Sequence, residues 1–155
     1  SVGKYDLIQK ALEKFSNNKT EFWKIAMRPG KPLLFSKINN TPLIGLPGNP
    51  VSSGVCCLIF VNIAIRSMLG NTNEFPIFEN ATLNGELSQN DQRFDFVRAY
   101  INNRSGNTYV TPISTQDSSM ITNFSQSDCL IAREPYDKRK KNGDNVKILK
   151  YPNNI

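Results

Sequence analysis

Leu7, Ile8, Ala11, Leu12 and Phe15 fall on one face of a 3.6-residue period, and Asp6 with Gln9 three positions on has the form of a capping box. The chain is therefore predicted to open with an amphipathic helix. Three β-type runs follow, Phe22–Met27, Leu33–Ile38 and Thr41–Leu46. Pro47-Gly48-Asn49-Pro50 breaks the last of them and starts a second helix, with Asn49 as N-cap, Pro50 at the first helical position and Gly70 as C-terminal cap. That helix is apolar nearly all round, which predicts burial.

Beyond Gly70 the texture changes. Asn71 to Pro76 is polar, and short β-type runs come after it: Ile77–Leu83, Phe94–Ile101, Tyr109–Ile113, Cys129–Arg133 and Val146–Leu149, separated by turn clusters at Asn102–Asn107 and Asn142-Gly143-Asp144. Strands at that spacing without a long helix predict a small barrel or sandwich. The expected division is an α/β unit over residues 1–72, with a mixed sheet and flanking helices, then an all-β barrel over 73–155. Ser1-Val2-Gly3 reads as a turn with no strand before it, so a further part of the α/β unit is expected upstream.

The longest apolar stretch, Val51 to Ile65, is interrupted by Ser52, Ser53 and Asn62 and is shorter than the ~18–20 residues that span a bilayer. Cys56, Cys57 and Cys129 show no ligand spacing and no disulfide framework, and read as reduced, buried thiols of a cytoplasmic protein. Histidine is absent. A Ser-His-Asp triad, a Cys-His pair and a His-ligated zinc are thereby excluded, which leaves carboxylates, amines, hydroxyls and backbone dipoles as the chemistry available.

Lys and Arg number 19 against 13 Asp and Glu, for a formal charge of +6. Up to Phe75 there are 9 basic and 4 acidic residues, net +5; after it there are 10 and 9, net +1, so the excess sits in the first unit. Lys24, Arg28, Lys31 and Lys37 occur with no acidic residue between them, a local field suited to a small anion. Read as one strand, Phe22–Met27 sends Lys24 and Ala26 one way and Trp23, Ile25 and Met27 the other, with Arg28 on the face of Lys24. The Pro29-Gly30-Lys31-Pro32 turn would hold Lys31 and nearby amides ready for an oxyanion. At the second junction Ser52 and Ser53 lie in the first helical turn, where free N–H groups favour an anion, although simple capping explains them as well. Lys138-Arg139-Lys140-Lys141 reads as a solvated loop.

Phe22-Trp23-Lys24-Ile25-Ala26-Met27-Arg28-Pro29-Gly30-Lys31-Pro32, followed by Gly45-Leu46-Pro47-Gly48-Asn49-Pro50-Val51-Ser52, resembles the molybdopterin molybdenumtransferase family, which includes bacterial MoeA and the gephyrin E domain. Ser1-Val2-Gly3 with Tyr5-Asp6, Arg93-Phe94-Asp95-Phe96-Val97-Arg98 and Gln116-Asp117-Ser118 are similar to further signatures of that family. The resemblance covers essentially the whole chain and corresponds to the C-terminal part of such an enzyme. It implies insertion of molybdate into adenylated molybdopterin with release of AMP, assisted by magnesium. It also implies that Ser1, Arg28, Lys31, Pro32, Gly48, Asn49, Ser52, Arg93 and Ser118 surround molybdate and the pterin phosphate. Asp6 would be the magnesium-associated carboxylate and Lys24 a cation on substrate phosphate, making Asp6, Lys24 and Arg28 the catalytic set.

The chain departs from the family pattern at Arg28, where lysine is usual, at Lys4, commonly acidic, and at Asp117 and Ser119, commonly glycine. The family implies small-molecule substrates and a homodimer of the full-length protein; neither nucleic acid nor a membrane is expected as partner, and as an isolated piece the chain is expected to turn over poorly. The competing reading is a non-catalytic scaffold or partner-binding module that keeps the fold.

Overall fold

A computed structural model of the chain describes residues 11, 12, 14, 21–71, 76–117 and 121–152. Ala11, Leu12 and Lys14 are helical, with Leu12 buried, while the capping pair Asp6 and Gln9 lies outside the described residues. The expected strand at residues 22–27 is two short ones, β1 (Phe22–Trp23) and β2 (Met27–Arg28). Lys24 between them has φ +66°, so period-two alternation fails there and Lys24 does not share a strand face with Arg28. Strand β3 (Leu34–Ile38) pairs antiparallel with both β1 and β4 (Thr41–Gly45), and Asn39 (φ +54°) with Asn40 makes the two-residue turn between β3 and β4.

Helix α1 runs from Pro50 to Met68, longer than the apolar run alone suggests, because Ser52, Ser53 and Asn62 are accommodated within it. Its middle turn, Cys57–Val61, is π-helical. The cap is as expected: Asn49 Oδ1 accepts from Ser52 N at 3.0 Å, and Gly70 takes φ +82° at the far end. The expectation of burial along the whole helix fails. Val51, Val55 and Cys56 are buried, but Ile65 and Met68 are exposed. By length and composition α1 could cross a membrane; its first half instead packs in a protein core.

The second unit is a closed five-stranded barrel. It comprises β5 (Glu79–Leu83), β6 (Phe94–Arg104), β7 (Asn107–Pro112), β8 (Cys129–Arg133) and β9 (Asn145–Lys150), with a short helix α2 (Ile121–Gln126) before β8. The strands follow the order β6-β7-β5-β9-β8, and β8 closes on β6. All neighbours are antiparallel except β5 and β7. Strand β6 outruns its expected end at Ile101 because Ser105 and Gly106, both at positive φ, make a tight turn that keeps Asn102 to Arg104 paired with β7. Leu83, Val97, Ala99, Val110, Ile131 and Ile148 fill the interior.

Two features join the units. Strand β2 adds in parallel to the start of β6, Met27 opposite Phe94 and Arg28 opposite Asp95, on the edge that β7 uses further along. Beneath it Met27, Leu33, Val55, Ile59, Phe96 and Leu130 form one shared apolar core. Helix α2 closes the side: a Cβ on Gly54 of α1 would come within 2.6 Å of Phe124 Cε1, so glycine is what allows the ring to sit there.

Burial pushes the Cys56 and Cys129 thiols up to about 12, so neither forms the reactive thiolate near neutral pH. In the native chain both are expected to resist a thiol reagent such as dithionitrobenzoate until the protein unfolds. Stoichiometric labelling of all three cysteines without denaturant would contradict that packing.

Candidate functional site

A cleft of about 760 Å³ opens where β2 and β7 part along β6. The turn after β2 supplies Pro29 to Pro32, the first turn of α1 supplies Ser52, the loop after β5 supplies residues 84–90, β6 supplies Asp95 to Arg98, and the segment after β7 supplies Ile113 and Gln116. Arg28, Lys31, Pro32, Ser52 and Arg93 all line it, from segments up to 65 residues apart in sequence. Arg28, Lys31 and Ser52 therefore face one space.

Other expected positions lie off the cleft. The left-handed backbone at Lys24 turns its ammonium onto the Trp23 ring, 3.8 Å from the centroid. Gly48 is exposed and Asn49 is engaged in capping α1, and neither belongs to the lining. Ser1, Asp6 and Ser118 lie outside the described residues.

Arg28 reaches the cleft but is not an unpartnered cation there. Its Nη2 donates to Asp95 at 2.6 Å and to Asn90 at 3.4 Å, and its Nη1 donates to Asp91 at 3.2 Å. The hydrogen bond to Asp95 raises its already high pKa. Arg93 spends its charge on the same Asp91, at 2.7 Å. Arg28 of the basic run is thus answered by carboxylates of the barrel, 63 and 67 residues away. The run at residues 138–141 is likewise partly paired, Arg139 to Glu86 at 2.5 Å and Lys140 to Asp137 at 3.7 Å.

Hydrogen bonds from the Arg93 side chain and backbone, with the Arg28 charge, hold the Asp91 carboxyl down to about 2. A carboxyl depressed in the folded state gives stability that is present above its unfolded value, about 3.9, and lost as pH falls through about 2. Asp91→Asn should therefore lower the urea midpoint at pH 7, with the gap to wild type closing between about pH 4 and pH 2. A gap independent of pH would mean that Asp91 acts by packing alone.

Two cations of the lining have no carboxylate at ion-pair distance among the described residues, Lys31 and Arg98; Arg133, also in the lining, is paired with Asp137 at 3.0 Å. Arg98 is only 2% exposed. On β6 the residues Val97 and Ala99 point into the barrel, so Arg98 lies on the opposite face with Phe96, at the edge of the shared core. Its hydrogen-bond partners are neutral: Nε to Gln116 Oε1 at 3.2 Å and Nη1 to the Asp117 carbonyl at 3.2 Å. Burial lowers its pKa, partly offset by the fields of Tyr151, Asp117 and Asp95, and it stays charged. A buried guanidinium with no carboxylate at ion-pair distance among the described residues, lining a cleft that also holds an ammonium and a hydroxyl, has the chemistry to accept an anion.

No group of three or more Asp, Glu, Cys or His residues able to hold a metal occurs among the described residues, and Asp91 and Asp95 are already neutralised by arginines. These residues do not fit a magnesium ion.

Two family profiles match the chain one after the other: "Probable molybdopterin binding domain" over residues 1–67 and "MoeA C-terminal region (domain IV)" over residues 80–151. The chain belongs to the MoeA family. It is 35% identical over 150 residues to the molybdopterin molybdenumtransferase of Haemophilus influenzae, covering 96% of this chain and 37% of the relative. It is 29% identical over 149 residues to that of Bacillus subtilis, covering 96% and 34%. Among solved structures, a molybdopterin biosynthesis MoeA protein from Pyrococcus horikoshii superposes with a TM-score of 0.74 at 23% identity, covering 94% of this chain and 34% of that one. A molybdenum cofactor biosynthesis protein from Pyrococcus furiosus gives 0.69 at 24%, covering 95% and 55%. The MoeA-type chain therefore spans about a third of the length of these curated relatives. The resemblance seen in the sequence and the architecture of an α/β unit followed by a small barrel both stand.

Sequence reasoning gave Arg98 and Asp95 a place only within the Arg93–Arg98 signature, and Asp91 none. The available signal for Arg98 was its setting, one arginine within Phe96-Val97-Arg98-Ala99, where every neighbour is apolar. For Asp91 and Asp95 no local signal existed, because their partner Arg28 lies in the other unit.

Proposed function

We propose that this MoeA-family chain forms part of a molybdopterin molybdenumtransferase, with molybdate and the phosphate end of adenylated molybdopterin as the anions of the cleft. One observation carries the reading: Lys31, Ser52 and Arg98 converge on one cleft while the other cations there are neutralised. In this reading Lys31 and Arg98 hold molybdate oxygens and the Ser52 hydroxyl donates a further hydrogen bond. Arg28 and Arg93, tied to Asp91 and Asp95, fix the wall formed by β2 and β6. Pro32 shapes the turn that presents Lys31. Such a site promotes transfer by bringing molybdate and a phosphorylated substrate together against their repulsion.

Ser1 and Ser118 are assigned to the proposed anion shell, and Asp6 to magnesium, through the family resemblance alone; Lys24, which lies off the cleft, is assigned on the same ground to substrate phosphate outside it, and no step is derived through the metal. Gly48 and Asn49 are assigned to orienting the first turn of α1. Division near residue 72, a homodimer of the full-length protein and a cytoplasmic location complete the proposal. The scaffold alternative is not favoured, since the curated relatives are named as transferases.

Tungstate, an electron-dense analogue of molybdate, should give anomalous density bounded by Lys31, Ser52 and Arg98 in soaked crystals. Clean maps in the cleft at high tungstate concentration would overturn the proposal.

A further inference from the structure

Gln116 follows β7 on a stretch that has left the barrel, and its side-chain amide is saturated. Oε1 accepts from Arg98 N at 3.0 Å and from Arg98 Nε at 3.2 Å. Nε2 donates to Arg98 O at 3.0 Å and to Ile113 O at 2.7 Å. An amide has two acceptor sites and two donors, so none is left for a ligand. Its orientation is fixed by chemistry: the flipped amide would set NH₂ against the two N–H groups of Arg98 and oxygen against two carbonyls.

Three of the four bonds go to one residue, and that residue is the buried guanidinium of the cleft. An arginine of four rotatable bonds has many ways to point; gripping its backbone N, its backbone O and its Nε together fixes the root and the fork of the side chain. With Nη1 on the Asp117 carbonyl, Nη2 is the terminal nitrogen without a partner among the described residues. We propose that Gln116 is a positioning residue of the cleft, whose amide sets the Arg98 guanidinium so that Nη2 is presented to the bound oxyanion. This rests on the anion-binding reading given above.

Gln116 also ties Ile113 to β6, beside the backbone bond from Ile113 N to Arg98 O at 2.9 Å, so a purely structural role has to be separated from positioning. The test is a double-mutant cycle read by calorimetric titration of sodium molybdate into the chain, with thermal unfolding recorded in parallel. Gln116→Met, similar in length and without the amide, should weaken molybdate binding at least about tenfold, in line with loss of a charge-assisted contact. Arg98→Met should weaken it more, and Gln116→Met added to Arg98→Met should change affinity no further. If Gln116→Met does not fold, Gln116→Asn, one carbon too short to reach both Arg98 and Ile113, gives the same readout.

If Gln116→Met lowers the unfolding temperature but leaves molybdate affinity within twofold of wild type, the positioning role is overturned while the anion site stands. Full additivity of the two substitutions would also overturn it. Absence of molybdate binding by the wild-type chain would overturn the parent reading, and this inference with it.

Discussion

Arg98→Met should reduce molybdate affinity by about a hundredfold or more while leaving the unfolding temperature unchanged or slightly raised. The two halves of this expectation have one cause. Arg98 is 2% exposed and its described hydrogen-bond acceptors are neutral, so folding strips water from a charge and returns no carboxylate at ion-pair distance among the described residues. Methionine fits the same apolar wall beside Phe96 and Leu130 and removes that desolvation cost. An oxyanion that supplies the missing negative charge gains a charge-assisted bond in a low-dielectric site, worth about 1.5–3 kcal/mol before longer-range attraction is added. Arg98→Lys, which keeps the charge but lacks the fork that engages Gln116 and Asp117 together, should fall between, about tenfold weaker. Equilibrium titration with molybdate and thermal unfolding of the three proteins decide the matter. A steep loss of stability with binding intact would make Arg98 a structural strut.

How far the sequence foretold this site depends on which forces shaped each residue. Local rules placed Asn49, Pro50 and Gly70 correctly because capping depends on neighbours within one turn. The barrel strands were legible for the same reason, and Cys129–Arg133 is reproduced to the residue. Lys24 was misread because alternation assumes an unbroken strand, and the left-handed residue that breaks it carries no glycine or asparagine to signal it. The charge of Arg28 was legible, but its neutralisation was not. Asp95 becomes its neighbour only because β2 adds to β6 across the two units, a pairing set by tertiary packing. Counting charges along the chain therefore led to residues that line one cleft, but not to which of its cations are answered by carboxylates.

Gly30→Ala should cost about 2–6 kcal/mol of stability and remove molybdate binding along with it. Two penalties add. The backbone at Gly30 has φ +122°, a region essentially closed to residues with a side chain, and holding alanine there costs about 1–3 kcal/mol. The methyl would also collide with Met27 Cε and lie 2.8 Å from Cys56 Sγ, both in the shared core, so overpacking adds about 1–3 kcal/mol. Met27 Cε ends a flexible side chain, but Met27 and Cys56 are both buried, so a shift of either must displace neighbours in the shared core. The chain's cheaper relief is to lift the turn, breaking Leu33 N to Gly30 O at 3.0 Å and Ile25 N to Lys31 O at 2.9 Å. Lys31 would leave the cleft with the turn that carries it. Urea unfolding and molybdate titration of Gly30→Ala should therefore fail together, whereas Gly106→Ala, at a positive-φ turn with nothing within 4 Å, should lose a smaller amount of stability and keep binding. Equal effects of the two substitutions would show that backbone strain alone is at work and that the Pro29–Pro32 turn is not seated on α1.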